Sequence, residues 1–295
     1  MSDIRVKIFY NNIDMVNTIS RNYDLIDNKY KRVTFVNDNT FTHAIIINKT
    51  MNVDKFLPKE NVLGLAFEPN AIMKYPQDKK FLKYLKESVG QYFIGVMDRS
   101  IGKLPPVYGR IFQVHYSFLN HIGNRKIKEE SNNKKKYPIS FIASDKLFLT
   151  GHKYRHILIK KILKTKMNIH IYGRGIKRWY KDERVKGDFV GEEPYKDYYF
   201  TIAIENSNSD LYISEKYTNP ISYDCIPIYL GASKIDRVFG DNCCIKLTGN
   251  LEKDVGIISK IYRKPNEQII NLDNVKKELL EGKGHLPEFL NNYWK

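Results

Sequence analysis

Residues 200–217 read FTIAIENSNSDLYISEKY: an apolar run, then Glu205, Asn206 and Ser207, then a polar stretch leading to the pair Glu215 and Lys216. In open α/β domains ligands collect at the carboxyl ends of strands, and here such an end would carry a carboxylate and an amide. Ser214 is a good N-cap, so a helix starting there holds Glu215 and Lys216 in its first turn. A helix N-terminus with an added lysine attracts phosphate. Glu215 could accept hydrogen bonds from sugar or ribose hydroxyls. Ser-Glu-Lys by itself is more often an ordinary capped surface helix, so the weight rests on the whole stretch.

Other chemistries leave no trace. The chain lacks a Walker-type loop, and GRG at 173–175 is too short for a dinucleotide fingerprint. No Asp-X-Asp is present to hold a divalent cation against a diphosphate, so cationic side chains and amides must neutralise one if it binds. Cys225, Cys243 and Cys244 are odd in number and lack metal-ligand spacing, which argues against a disulfide framework or zinc site and for a reducing, cytoplasmic setting. No apolar run approaches the roughly 20 residues that span a bilayer, and the N-terminus reads as a strand, not a signal segment.

The net charge of +16 predicts attraction to something anionic without choosing among nucleic acid, membrane and phosphorylated small molecules. The densest basic run, NRKIKEESNNKKKYP at 124–138, has acids and amides but no aromatic residue before its terminal Tyr-Pro, unlike single-strand nucleic-acid surfaces. It reads as a solvated linker.

The elements that must position these groups fall on both sides of that linker. Strand-like runs at 4–10, 44–47, 62–67 and 92–96 alternate with helical or irregular segments and predict a first α/β domain over residues 1–130. The pattern restarts over 138–295: a strand at YPISFIAS, an amphipathic helix over 151–165, strands at MNIHIYGRG, YFTIAIEN and IPIYLG, and a last helix near 274–281 able to pack back on the first domain. Tyr154, Ile157, Leu158, Ile162 and Leu163 approximate one apolar face of the first of these helices.

The stretch FTIAIENSNSDLYISEKYTNPISYDCIPIYLGA resembles the signature of the α-1,3-fucosyltransferase family, glycosyltransferase family 10. The spacing from Glu205, Asn206 and Ser207 to Tyr212, Glu215 and Lys216 matches without a gap, and IPIYLGA follows at the expected distance. Upstream, GHKYRHILIKKILKTKMNIHIYGRG is similar to the family helix that bears a donor-binding arginine, here Arg155. FIASD resembles a further segment, with Ser144 matching and Asp145 replacing asparagine. LGLAFEPN is similar to the region of the proposed catalytic glutamate, which would be Glu68. Leu211 stands where an acid is common, and Pro220 implies a short or kinked helix.

The resemblance implies a GT-B fold, two Rossmann-like domains facing across a cleft, and an inverting transfer of fucose from GDP-β-L-fucose to a glycan acceptor, by family default in α-1,3 linkage. It implies Arg155 and Lys216 opposite the diphosphate, Glu215 on the ribose, and Asn206, Tyr212 and Ser144 in the donor pocket. Glu205 either binds donor hydroxyls or orients the loop, and Glu68 takes the acceptor proton, with Asp98 next in line. No tightly bound cofactor, obligatory metal or nucleic-acid partner is expected. Two other readings stay open: another nucleotide sugar on the same scaffold, and a basic polyanion-binding protein.

Overall fold

A computed structural model describes residues 3–10, 15–23, 25–68, 70–73, 77–93, 135–280 and 285–294. Asp98 and residues 124–134 of the basic run lie outside them. The chain divides into two compact units: Met1–Asn124 with Ser209–Ile213 and Lys277–Lys295, and Arg125–Asn208 with Ser214–Lys276.

In the first unit β1 (Ile4–Phe9), α1 (Val16–Tyr23), β2 (Lys29–Tyr30), β3 (Val33–Phe35), β4 (His43–Ile47), β5 (Val62–Leu65), α2 (Asn70–Met73), α3 (Lys79–Ser88) and β6 (Gln91–Phe93) follow in order. The sheet order is β2-β3-β1-β4-β5-β6, parallel except for the short antiparallel β2 at its edge. Strands β4 and β5 are buried almost without interruption, as expected for parallel strands covered on both faces. Alternation then sorts side chains between two cores: Ile45 and Ile47 join one cluster, Ala44 and Ile46 the other. The ring of Tyr92 lies where a Cβ on Gly64 would be, so glycine is required in β5.

The second unit contains β7 (Tyr137–Ile142), α4 (Thr150–Leu163), β8 (His170–Tyr172), β9 (Val185–Gly187), β10 (Tyr198–Ile204), α5 (Glu215–Ile221), β11 (Ile226–Leu230), α6 (Asp236–Phe239), β12 (Ile245–Lys246) and α7 (Leu251–Arg263). Its sheet is wholly parallel, in the order β12-β11-β10-β7-β8-β9. That is the doubly wound order of dinucleotide-binding domains, with the direction of winding reversing between β7 and β10. The basic run ends inside this sheet, since Tyr137 already pairs with Tyr198.

Two expectations need correction. The buried face of α4 is formed by Gly151, His152, Arg155, His156, Leu158, Ile159 and Ile162, while Ile157 is half exposed. The apolar residues alone mislead here because three polar side chains share the buried face. Helix α8 (Asp273–Leu280) is also not the last; α9 (Leu286–Tyr293) follows, opened by Pro287 in its first turn and capped by His285, whose Nδ1 accepts from Glu288 N at 3.2 Å. Leu286, Phe289, Leu290 and Trp294 complete a core of the first unit. Arg32 fixes the far end of α9 by donating to the carbonyl of Asn291 at 2.7 Å and to that of Trp294.

His285 is wedged against the rings of Tyr23 (4.7 Å) and Tyr30 (5.0 Å), and burial pulls its pKa down to about 4. Between that value and the ordinary 6.5 the unfolded chain binds the extra proton, so this contribution is complete above pH 6.5 and is lost as pH falls towards 4. Protonation also removes the acceptor that caps α9. His285→Asn keeps a capping acceptor and cannot titrate in this window. Its unfolding free energy from urea titration should fall less than the wild type's between pH 7 and pH 5, by about 1–2 kcal/mol for a shift of that size. Parallel pH profiles would rule His285 out as an acid-sensitive group.

Candidate active site in the second unit

The carboxyl ends of β7 and β10 are adjacent, and the loops leaving them run into α4 and α5. Glu205 follows β10 directly. Its carboxylate is fully buried and accepts from Ser214 N at 2.7 Å and from Ser214 Oγ at 2.6 Å, so both donors at the start of α5 are anchored to the strand end. Tyr229 Oη, from β11, donates to it at 3.3 Å, and Lys216 Nζ stands 3.9 Å away. Burial raises the Glu205 pKa, opposed by Lys216 and the two Ser214 donors. With no exposed surface, Glu205 acts on the site through Ser214 and Lys216, as a positioning residue.

Lys216 retains 19% side-chain exposure, and its Nζ also reaches Glu215 Oε1 at 2.7 Å and Ser214 Oγ at 3.2 Å. Partial burial pushes the Glu215 carboxyl up, but Lys216 and Ser214 outweigh it and leave the pKa below the ordinary range. Glu215 is therefore an anionic acceptor at neutral pH with 40% of its side chain exposed. Pro220 lies in the last turn of the seven-residue α5.

Arg155 comes from the second turn of α4 and is 4% exposed. Its Nε and Nη2 donate to the Ile204 carbonyl at 3.0 and 2.7 Å, and Nη2 donates to Asn206 Oδ1 at 2.6 Å. Gly151 N donates to the Asn206 carbonyl at 3.0 Å, and a Cβ on Gly151 would collide with the Glu205 carbonyl oxygen. Helix α4 can thus approach the strand end only because Gly151 has no side chain.

His152, which the sequence patterns did not single out, reports on the charge of this corner. Burial, and then the cations Arg155, Lys146 and Lys216, hold its pKa down to about 4. Its Nδ1 accepts from Leu149 N at 3.2 Å. The three cations that add to burial here make the corner favourable to an anion. The signal was available in the sequence, because His152 lies three residues before Arg155 and so on the same helical face. Tyr229 carried no comparable local signal; it reaches Glu205 from another strand.

Ser144 is half-buried past the end of β7, its carbonyl within 3.0 Å of His156 Nε2. Asp145 pairs with Arg178 at 3.4 Å, which offsets its charge. Tyr212 is 4% exposed, its N donating to Ser209 Oγ at 2.9 Å, and belongs to the segment grouped with the first unit. Glu68, also in the first unit, is half-buried three residues past β5, a strand end tied to β4 by Asn48, whose Oδ1 accepts from Phe67 N at 2.8 Å. The structure therefore gathers Arg155, Glu205, Asn206, Glu215 and Lys216 at one switch point, with Ser144 past the adjoining strand. Among the described residues no group of three or more His, Cys, Asp or Glu could hold a metal ion.

Residues 132–248, spanning β7 to β12, match the family model described as glycosyltransferase family 10 (fucosyltransferase) C-term. The match covers less than half of the chain; it makes these residues similar to the C-terminal domain of that family and supports a glycosyltransferase. Crystal structures of α1,3-fucosyltransferase with GDP and without it each align with a TM-score of 0.55, at 11% and 10% identity, covering all of this chain and 91% of theirs. The fold, two α/β units built on parallel sheets, is thus of the GT-B type. No curated protein matches the chain.

Gly151→Ala should force α4 away from β10, because the obstructing atom is backbone and cannot turn aside. We expect a loss of about 1–3 kcal/mol, the usual cost of overpacking, in denaturant unfolding. Wild-type stability would show that the helix and strand end are not in close contact.

Proposed function

We propose that this glycosyltransferase moves L-fucose from GDP-β-L-fucose to a hydroxyl of a glycan acceptor with inversion, by family default forming an α-1,3 linkage. The observation that carries the reading is Lys216 held 2.7 Å from the part-exposed carboxylate of Glu215, with Arg155 fixed on Ile204 and Asn206 at the same strand end, at the switch point of a domain that matches family 10. Lys216 and Arg155 would oppose the charge that grows on the GDP leaving group, which preorganised cations stabilise without reorganising. Glu215, ionised, would accept from the ribose hydroxyls. Asn206, Tyr212 and Ser144 are assigned to the donor pocket by the family resemblance. A cytoplasmic setting fits three unpaired, buried cysteines. Asp145, in place of the family's asparagine, supports a second reading in which the donor is another nucleotide-linked deoxyhexose.

Transfer also needs a base for the acceptor proton as the hydroxyl attacks. Glu68 is the candidate because it follows a strand end in the first unit's parallel sheet, where ligand-binding groups collect.

GDP and GDP-fucose should raise the melting temperature, with the shift insensitive to EDTA, by preferential binding to the folded state. Equal protection by UDP or CMP would overturn the base assignment, and turnover with a panel of nucleotide sugars decides the donor. Arg155→Ala would also unpair the Ile204 carbonyl, so Lys216→Ala is the cleaner probe. It should slow transfer by about 10² to 10³-fold, typical for one electrostatic donor; full activity would remove Lys216 from the site.

Glu68→Gln cannot accept the acceptor proton. Turnover should fall by about 10² to 10⁴-fold, the usual range for a general base, while GDP affinity measured by calorimetry is retained. Near-normal turnover would assign the proton to another carboxylate, and loss of GDP affinity as well would make Glu68 structural.

A further inference from the structure

Two loops at the carboxyl edge of the second unit's sheet turn apolar side chains towards solvent. Leu147 and Phe148, between β7 and α4, are 36% and 64% exposed, and Trp179, just after the short 3-10 turn Ile176–Arg178, is 51% exposed. Three separate contacts join these loops into one ridge. Asp145 pairs with Arg178 at 3.4 Å. The Phe148 ring lies 4.6 Å from His152, and the Trp179 ring 5.5 Å from His156, one turn further along α4. Gly175 approaches the Asp145 carboxylate so closely that a Cβ there would strike it. Each exposed ring is therefore fixed against α4, one turn apart.

The ridge is surrounded by cations. Lys146 Nζ lies 6.0 Å from the centre of the Phe148 ring, and Arg174, Lys177, Arg178 and Lys181 are all exposed in a nine-residue stretch, 173–181, that has no acid. The acids that follow are partly committed: Asp182 to Arg184 at 2.8 Å, and Asp188 to Gly175 N at 3.1 Å, while Glu183 is exposed.

We propose that this ridge is a docking face for an anionic phospholipid surface. Leu147 and Phe148 offer hydrocarbon without hydrogen-bonding groups, which gains little from a hydroxyl-rich polyanion but is favourable in the acyl boundary of a bilayer. Trp179 suits the headgroup level, where its ring and its N–H are both accommodated. The ring of lysines and arginines meets the lipid phosphates, and its charge complementarity with an anionic leaflet sets the choice of membrane. Among the described residues no helix is long and apolar enough to cross a membrane, so the contact is a surface one. The ridge adjoins the donor corner through Asp145 and His152, but the docking proposal does not rest on the identity of the donor. It would bring the corner formed by α4 and β10 close to acceptors carried on a bilayer.

The test uses the full chain and the intrinsic fluorescence of its two tryptophans. Trp294 is 9% exposed and supplies a constant background, so a change reports Trp179. Vesicles of phosphatidylcholine containing about 30 mol% phosphatidylserine, an anionic leaflet of the kind that attracts basic segments, should shift the emission to the blue. Brominated acyl chains should quench it. Phosphatidylcholine alone should do neither, and Trp179→Phe should abolish the signal. Phe148→Ser and the double variant Lys177→Glu/Lys181→Glu, all at exposed positions, should weaken vesicle binding at least about tenfold, given the energy per basic residue at such a surface. GDP protection should be unchanged in them. Three outcomes would overturn the proposal: binding without quenching of Trp179, which is adsorption of a basic protein; an equal loss from Lys83→Glu/Lys86→Glu on α3, which is net charge; or shielding of Trp179 by heparin with no response to vesicles, which is a polyanion site.

Discussion

A buried carboxylate holds the proposed donor site together. Glu205 takes both hydrogen-bond donors of Ser214 and the hydroxyl of Tyr229, and it faces Lys216 at 3.9 Å. A carboxylate without exposed surface is costly unless its acceptor capacity is filled and a cation stands near. Meeting that condition ties β10, β11 and the start of α5 to one group. The direction in which Lys216 and Glu215 leave the helix follows from it.

The same economy of space acts on the other side. Gly151 lets α4 reach the Asn206 carbonyl, and that approach puts Arg155 within reach of Ile204 and Asn206. Gly231 serves Glu205 in a similar way, because a Cβ there would strike its side chain. Two glycines and a buried acid thus bring two cations together from helices more than fifty residues apart in sequence. Carbonyl, amide and carboxylate oxygens are distributed around them, and the cations' positive field adds to burial in keeping His152 deprotonated.

Much of this could be read from the chain, for identifiable reasons. Glu205, Ser214, Glu215 and Lys216 lie in one local stretch whose strand end and N-cap are both encoded nearby, so their proximity needed no long-range information. The parallel strands were visible as continuous apolar runs. What stayed hidden was tertiary. That Glu205 is closed to solvent depends on Tyr229 and Gly231, which arrive from β11. The polar content of α4's buried face, Arg155 included, runs against hydrophobic periodicity and misplaced the face onto Ile157. Helix α9 escaped notice because its start is a histidine cap and a proline, and its apolar residues find their core only on the sheet formed by the first hundred residues.

The central claim is that Glu205 serves the donor by holding Ser214 and Lys216 in place, and calorimetry of GDP binding to Glu205→Gln tests it by sign. Removing a carboxylate makes the corner more positive, so charge alone predicts tighter binding of the nucleoside diphosphate. Our account predicts weaker binding, by about tenfold or more, because a charge-assisted hydrogen bond within the brace typically contributes about 1.5–3 kcal/mol. Unchanged or tighter GDP binding by a folded Glu205→Gln protein would contradict it.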